Sequence, residues 1–437
     1  MGWIPERRTF LRLSIAAAGI LIAAAIAAHV RKPRELPVYL KAAQRFVAGE
    51  QIYLHEPKAF TYPPFFVLPF VPLVPLAESV QRVLWWAANI GMLVAIVGIV
   101  WSLVRPTLPE DPRKRRLCAV AAGLLSAKFL LSPLEHESHD LIVLWMIVLS
   151  AHYACERRQA AAGCFAGIAA ACKATPLLML PYFLWRRMWA AAGVMLLAGI
   201  AATLLPDFLT SNPDAKFWFQ TWNERFVSRV EVGESPDLNG AWAAWNPANQ
   251  SLTGTARRWF QPVTPGPGRM NVCFFPLRAG ILRGLVLAAH ALLLALIGWA
   301  TWPRCGSSTT AAVFEKQVLT HYGALVCGML LFSPMSSPAH FCGLVLPLAV
   351  LAGEIVQRPR RPAILAALAA VALFGPLSAQ DLVGRPLSDL LQALGAQTLC
   401  TMACLLSMVW FARETDGPQE VFGPTLAENS HPKHRAA

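Results

Sequence analysis

VLWWAANIGMLVAIVGIVWSLV, residues 83–104, runs for 22 positions without a charged side chain. As a helix rising 1.5 Å per residue it reaches roughly 33 Å, enough to cross a hydrocarbon core of roughly 30 Å. Uncharged runs recur at 284–303 (20 residues), 362–380 (19) and 390–412 (23). The 437-residue chain is 56% hydrophobic and 14% charged, with mean hydropathy +0.46, against about 25% charge in an ordinary soluble chain. A single soluble domain is excluded. The net charge of +13 would suggest nucleic acid in a soluble protein. Here Lys and Arg cluster between apolar runs, which is how orientation in a membrane is written, so the expected partner is the lipid bilayer and not nucleic acid.

The clusters fall at Arg7/Arg8, Arg105 with Arg113 to Arg116, Arg157/Arg158, Arg186/Arg187, Arg304 with Lys316, Arg358 with Arg360/Arg361, and Arg413 with Lys433/Arg435. Seven visits to the cytoplasm joined by outward excursions predict about 12 transmembrane segments: 10–30, 79–104, 117–132, 140–154, 160–172, 174–185, 190–206, 279–302, 318–332, 340–356, 363–378 and 389–412. The first reads as a retained signal anchor. Two long extracytoplasmic loops follow, about 31–78 and 207–278. The segments at 160–172 and 174–185 share too few residues for two full spans, so a re-entrant or shortened pair is expected there. Residues 1–412 read as one multi-spanning all-α domain and 413–437 as a disordered cytoplasmic tail. The ten cysteines contain no CxxC pair and mostly lie in apolar segments, which points to neither zinc nor a disulfide framework.

Ionisable residues away from the basic loops gather at the outer rim: Glu35, His55, Glu56, Glu135, His136, Glu137, His139, Asp140, Asp207, His340 and Asp381. A transporter is expected to bury such groups near the midplane, whereas a rim suits chemistry on a lipid head group. The first long loop, RELPVYLKAAQRFVAGEQIYLHEPKAFTYPPFF at 34–66, places Leu36, Val38, Tyr39, Ala42, Ala43, Phe46 and Val47 at helical spacing. That predicts an amphipathic helix along the membrane surface, stopped by Gly49, with extended backbone at Pro63-Pro64. Glu35 by itself reads as a solvated loop carboxylate.

The second loop contains AWAAWNPANQSLTGTARRWF, 241–260. Trp242, Trp245 and Trp259 interleaved with Asn246, Asn249, Gln250 and Ser251 form either a sugar-binding platform or an interfacial aromatic belt. Lys173, between Ala169 to Cys172 and Pro176 to Leu180, either snorkels to the surface or grips a lipid phosphate. His340, after SPMSSPA, is by itself an ordinary interfacial polar residue.

Together these segments resemble glycosyltransferase family 87, membrane α-mannosyltransferases of the GT-C superfamily that use polyprenyl-phosphate-mannose. The resemblance is carried by Glu35-Leu36-Pro37-Val38-Tyr39, Gly49 to Tyr53, Tyr62-Pro63-Pro64 with Pro72-Leu73, the small-residue run Ala161 to Ala171 into Lys173-Ala174-Thr175-Pro176, Asn249-Gln250-Ser251-Leu252, and Ser333-Pro334-Met335-Ser336 before His340. The chain departs from the family where Glu35 replaces the usual Asp. It departs again at Ser337-Pro338-Ala339-His340, in place of Trp-Asp-His-His, and at Glu137-Ser138-His139-Asp140, in place of Gly-Gln-x-Asn.

The resemblance implies a GT-C-type fold in the cytoplasmic (inner) membrane with its active site outward. It implies transfer of a hexose, with mannose the expected sugar, from a polyprenyl-phosphate-linked sugar donor to a hydroxyl of a glycolipid or glycan acceptor, with inversion. Glu35 is then the base and His340 a second catalytic group. Lys173 and Arg258 hold the donor phosphate, and Tyr39, Tyr62, Asp140, Asn249 and Gln250 bind sugar or acceptor. Neither cofactor nor metal is expected. The competing readings are a lipid-linked sugar transporter or flippase and a lipid-linked glycan ligase or polymerase.

Overall fold

The computed structural model describes residues 34–231, 241–264, 266, 269–303 and 311–415. The expected first crossing, the clusters at Arg7/Arg8 and Arg304, and all but the first residues of the expected tail lie outside the described residues. The described chain is helical, with no strand.

Helix α1 (Leu36–Val47) forms where the apolar spacing predicts it, burying Leu36, Tyr39, Leu40, Ala42, Ala43 and Phe46. It ends before Gly49, whose φ of +69° a side chain would strain. Protein, not lipid, covers its apolar face. Tyr39 packs 5.4 Å from Phe66 and 4.8 Å from Phe70, both on a ten-residue 3-10 segment, Pro64–Leu73. Extended backbone is confined to Pro63, at ψ 151°. Pro69 and Pro72 lack the N–H an α-helix would use, and the tighter helix forms instead.

The bundle continues through α2 (Glu78–Val104), α3 (Pro112–His136), α4 (Asp140–Cys155), α5 (Gln159–Cys172), α6 (Met179–Trp185) and α7 (Trp189–Leu209). Two short helices of the second long connection follow, α8 (Trp218–Arg225) and α9 (Leu252–Phe260). Then come α10 (Ala279–Thr301), α11 (Ala311–Phe332), α12 (Val345–Gln357), α13 (Pro362–Phe374), α14 (Arg385–Ala393) and α15 (Ala396–Thr415). This is an integral membrane protein, but its expected segments differ in kind. Among the described residues, five helical stretches are long and apolar enough to cross: 78–107, 112–136, 189–209, 279–301 and 338–357. The expected single crossing at 389–412 is instead a pair, α14 and α15, bent by 59° at Gly395, whose φ is +82°. The pair at 160–185 is shortened, as its residue count requires: α5 has 14 residues and α6 has 7.

Close packing of α5 on α7 depends on absent side chains. A Cβ at Gly163 would lie 2.1 Å from the Ala191 carbonyl oxygen, and one at Gly167 2.4 Å from that of Met195. Nearly all of α12 is buried, as expected of a helix apolar all round. Leu124, Leu197 and Phe208 face outward, as lipid-facing positions do. The buried carboxylate of Glu354 pairs with Lys316 (2.5 Å) and Arg358, and Arg358 reaches Glu414 (2.5 Å). This network lies at the end of the bundle opposite Glu35, Asp140, Lys173 and His340.

Candidate active site

The helix starts and breaks at one end of the bundle place the polar residues. Helix α3 stops at Glu137, which adopts a left-handed conformation (φ +53°), and α4 begins at Asp140. The reversal aims three consecutive polar side chains inward. Lys173 sits in extended backbone (φ −156°, ψ 129°) after α5, between that helix and a 3-10 segment, Thr175–Leu178; Pro176 has no N–H with which an unbroken α-helix could bond the Cys172 carbonyl. His340 occupies the third position of a 3-10 turn, Pro338–Leu344, and its Nδ1 accepts from the Ser337 N–H at 3.2 Å. That acceptor role assigns the proton to Nε2.

Asp140 is the hub. Lys173 Nζ donates to its Oδ1 at 2.8 Å and the Ser138 hydroxyl to its Oδ2 at 2.5 Å, with His139 Nε2 at 3.9 Å and His340 Nε2 at 3.8 Å from Oδ1. Lys173 therefore does not snorkel: it is ion-paired, and its side chain is 17% exposed. The hub explains why a cation is tolerated here, since truncating either partner would leave a buried charge.

Beside the hub opens a cavity of about 460 Å³ lined by Arg34, Glu35, Val38, Tyr39, Lys58, Tyr62, His136, Trp242, Ser337 and His340 among others. Tyr39 donates to Glu35 Oε2 at 2.6 Å and lies 3.1 Å from His139 Nδ1. The Glu35 carboxyl is not the ordinary carboxylate that loop position suggests. Burial pushes its pKa up to about 7, against the Tyr39 hydrogen bond and the charges of Lys173 and Lys58, while Asp140 adds to the rise. Burial likewise holds His139 down at about 4, neutral at physiological pH.

Of the residues singled out from sequence, Glu35, Tyr39, Tyr62 and His340 line the cavity. Asp140 and Lys173 stand behind it and line a small recess with Thr175, Ser336 and His340. Asn249, Gln250 and Arg258 do not belong to it. All three are fully buried. Arg258 donates to the carbonyls of Ala393 (2.8 Å), Ala244 (3.1 Å), Asn246 (3.1 Å) and Asn249 (2.7 Å), so its guanidinium holds backbone rather than phosphate. The Gln250 amide donates to Pro247 and Gln392 carbonyls and accepts from the Gln397 N–H. The Asn249 amide donates to the Trp242 carbonyl, and its oxygen accepts from the Ser251 N–H. These side chains fasten the second connection to α14 and α15. The tryptophans also part company: Trp242 faces the cavity, Arg269 stacks on Trp245 at 4.2 Å, and Trp259 donates to the Leu394 carbonyl.

Sequence reasoning missed Arg34 and Lys58 as wall residues and His139 as the neighbour of Tyr39. Adjacency to Glu35 was the available signal for Arg34. Lys58 carried none, since only the fold of the loop returns it to the cavity. An apolar groove of about 340 Å³ is lined by Pro63, Ala174, Leu177, Met195, Ile200 and Trp222 among others. Pro63 follows Tyr62 and Ala174 follows Lys173. Among the described residues no three His, Cys, Asp or Glu side chains converge as metal ligands.

Fold and site together define a polytopic helical membrane protein with a polar head-group-sized cavity at one rim and an apolar groove beside it. The chain belongs to glycosyltransferase family 87, whose sequence profile matches residues 60–334. The match includes Tyr62, Asp140 and Lys173 and begins after Glu35. Two curated relatives are polyprenol-phosphate-mannose-dependent α-(1-2)-mannosyltransferases. One, from Mycolicibacterium smegmatis and acting on phosphatidylinositol pentamannoside, is 31% identical over 37% of this chain and 38% of its own length. The other, from Mycobacterium tuberculosis and acting on phosphatidylinositol mannoside, is 26% identical over 43% and 48%. The matched region thus spans less than half of either relative. The crystal structure of ArnT from Cupriavidus metallidurans bound to undecaprenyl phosphate is 17% identical, covering 94% of this chain and 78% of ArnT with a TM-score of 0.44. The apo ArnT structure gives 16% and 0.41.

Proposed function

We propose that this protein is a hexosyltransferase that moves mannose from polyprenyl-phosphate-mannose to an acceptor hydroxyl, with inversion, at the extracytoplasmic face of the cytoplasmic membrane. Residues 1–412 act as one GT-C-type membrane domain, with the 413–437 tail inside. The observation that carries this reading is that the Glu35 cavity and the apolar groove adjoin at the consecutive residues Tyr62 and Pro63, with Lys173 in the recess behind the cavity and its neighbour Ala174 in the groove. The sugar occupies the cavity and the first isoprenoid units the groove, which puts the phosphate at the junction. There Lys173, with one of its three N–H donors spent on Asp140, donates to a phosphate oxygen. Arg34 and Lys58 supply positive charge at the cavity wall.

Glu35 takes the proton of the attacking hydroxyl as the anomeric carbon's bond to phosphate breaks on the far face. A base titrating near neutrality suits that step. His340 offers its Nε2–H to the departing phosphate, where charge develops. Tyr39 and Tyr62 form the wall against which the sugar rests. Purified protein in lipid, given radiolabelled polyprenyl-phosphate-mannose and a lipid extract, should transfer label to the extract. Label carried across a vesicle without transfer would make it a transporter. Label left unmoved would overturn the donor assignment.

A further inference from the structure

The Tyr39 hydroxyl lies between two acceptors, 2.6 Å from Glu35 Oε2 and 3.1 Å from His139 Nδ1. It has one proton and so can serve only one of them at a time. His139 is fully buried, and its Nε2 has no hydrogen-bond partner. That nitrogen points to Asp140 Oδ1 at 3.9 Å, a carboxylate that favours N–H there over a lone pair. The proton on Nε2 leaves Nδ1 as a lone pair facing Tyr39. The imidazole is fixed by rings: Tyr62 at 4.3 Å, Phe66 at 4.6 Å and Tyr39 at 5.7 Å between centroids.

We propose that Tyr39 and His139 form a hydroxyl rotor serving Glu35. Tyr39 donates to Glu35 while Glu35 is a carboxylate, and turns to His139 Nδ1 when Glu35 takes a proton. In the first state the Tyr39 O–H stabilises the carboxylate that accepts the acceptor's proton. In the second, the new Glu35 O–H donates to the Tyr39 oxygen and the Tyr39 O–H donates to His139. Every proton is accounted for, no tautomer changes, and neither the Tyr39 nor the Glu35 hydroxyl is left without an acceptor. His139 is thus a positioning residue that makes the protonated base tolerable in a closed site. The other charged or titratable groups facing the pair are Asp140, Lys173 and Lys58 around Glu35 and Asp140 and Lys173 around His139. Tyr62 and Arg34 share the cavity wall, and His340 faces across Asp140. All of these are unchanged by rotation of the hydroxyl.

The inference rests on Glu35 being the base, and the test separates the two. Infrared pH titration of the full-length protein follows the Glu35 carboxyl band, assigned by its loss in Glu35→Gln, beside the pH profile of donor kcat/KM. His139→Phe keeps the ring but removes the acceptor, penalising only the protonated state, so the Glu35 midpoint should fall by about one pH unit. His139→Asn restores an acceptor near Nδ1 and should return the midpoint towards wild type. Tyr39→Phe removes the stronger, charge-assisted bond to the carboxylate and should raise the midpoint by about one unit. A rise in His139→Phe means that Nδ1 is a donor and overturns the rotor, as does a midpoint that does not move. If His139→Phe does not fold, a His139→Asn midpoint equal to wild type together with a raised Tyr39→Phe midpoint supports the rotor, and any other pair of midpoints overturns it. Normal transfer by Glu35→Gln overturns the base reading alone, because the infrared midpoints still report on the rotor.

Discussion

At Glu35, burial and hydrogen bonding act in opposite directions, and burial prevails to leave the carboxyl titrating near pH 7. A base works only when deprotonated, so transfer should rise with pH through about 7 and fall about tenfold for each unit below it. A profile flat from pH 5 to 8 would remove Glu35 from that role. The Asp140–Lys173 pair makes a different prediction, about stability. Lys173→Met leaves a carboxylate without its 2.8 Å partner and should cost roughly 3–5 kcal/mol, read as a lowered Tm in detergent, with Lys173→Met/Asp140→Asn recovering much of it. A double variant no more stable than the single would mean that the ion pair is not what holds Lys173. The residue scale is also where the sequence was least legible. Glu35, Tyr39, Tyr62 and His340 could be found because local motifs carry them. The exclusion of Asn249, Gln250 and Arg258 could not, since a buried amide bonding a carbonyl and an exposed one bonding a sugar look alike in sequence.

Among the elements, α1 was legible because a 3.6-residue apolar period survives any later choice of what covers it. What covers it was not: the 3-10 segment that does so has no apolar period, and its three prolines read as loop. The shortened α5 and α6 followed from counting residues. Their tight seat on α7 depends on backbone approach that no period reveals. Gly163→Leu and Gly167→Val each place atoms where carbonyl oxygens of α7 now lie. Each should force the helices apart and cost more than the 1–3 kcal/mol usual for overpacking. Because Lys173 ends α5, activity should fall along with Tm. Wild-type melting of either variant would mean that α5 and α7 pack less closely.

For the molecule as a whole, charge is divided between the two ends. Arg105, Arg113 to Arg116, Arg157, Arg158, Arg186, Arg187, Arg358, Arg360 and Arg361 lie at the end opposite the cavity. Because short basic loops are expected inside, the proposed orientation has the cavity end facing out. On a background lacking native cysteines, an impermeant thiol reagent applied to intact cells should label Asp214→Cys and not Lys114→Cys. The reverse pattern would invert the topology. The central claim is that the rim cavity transfers mannose with Glu35 as its base, and one comparison bears on it most directly: label transfer from polyprenyl-phosphate-mannose by wild type and by Glu35→Gln in the same membranes. The account predicts robust transfer by wild type and at least about a 10²-fold loss in the variant, with donor binding nearly intact. Equal transfer by the two proteins, or none by the wild type, would contradict it.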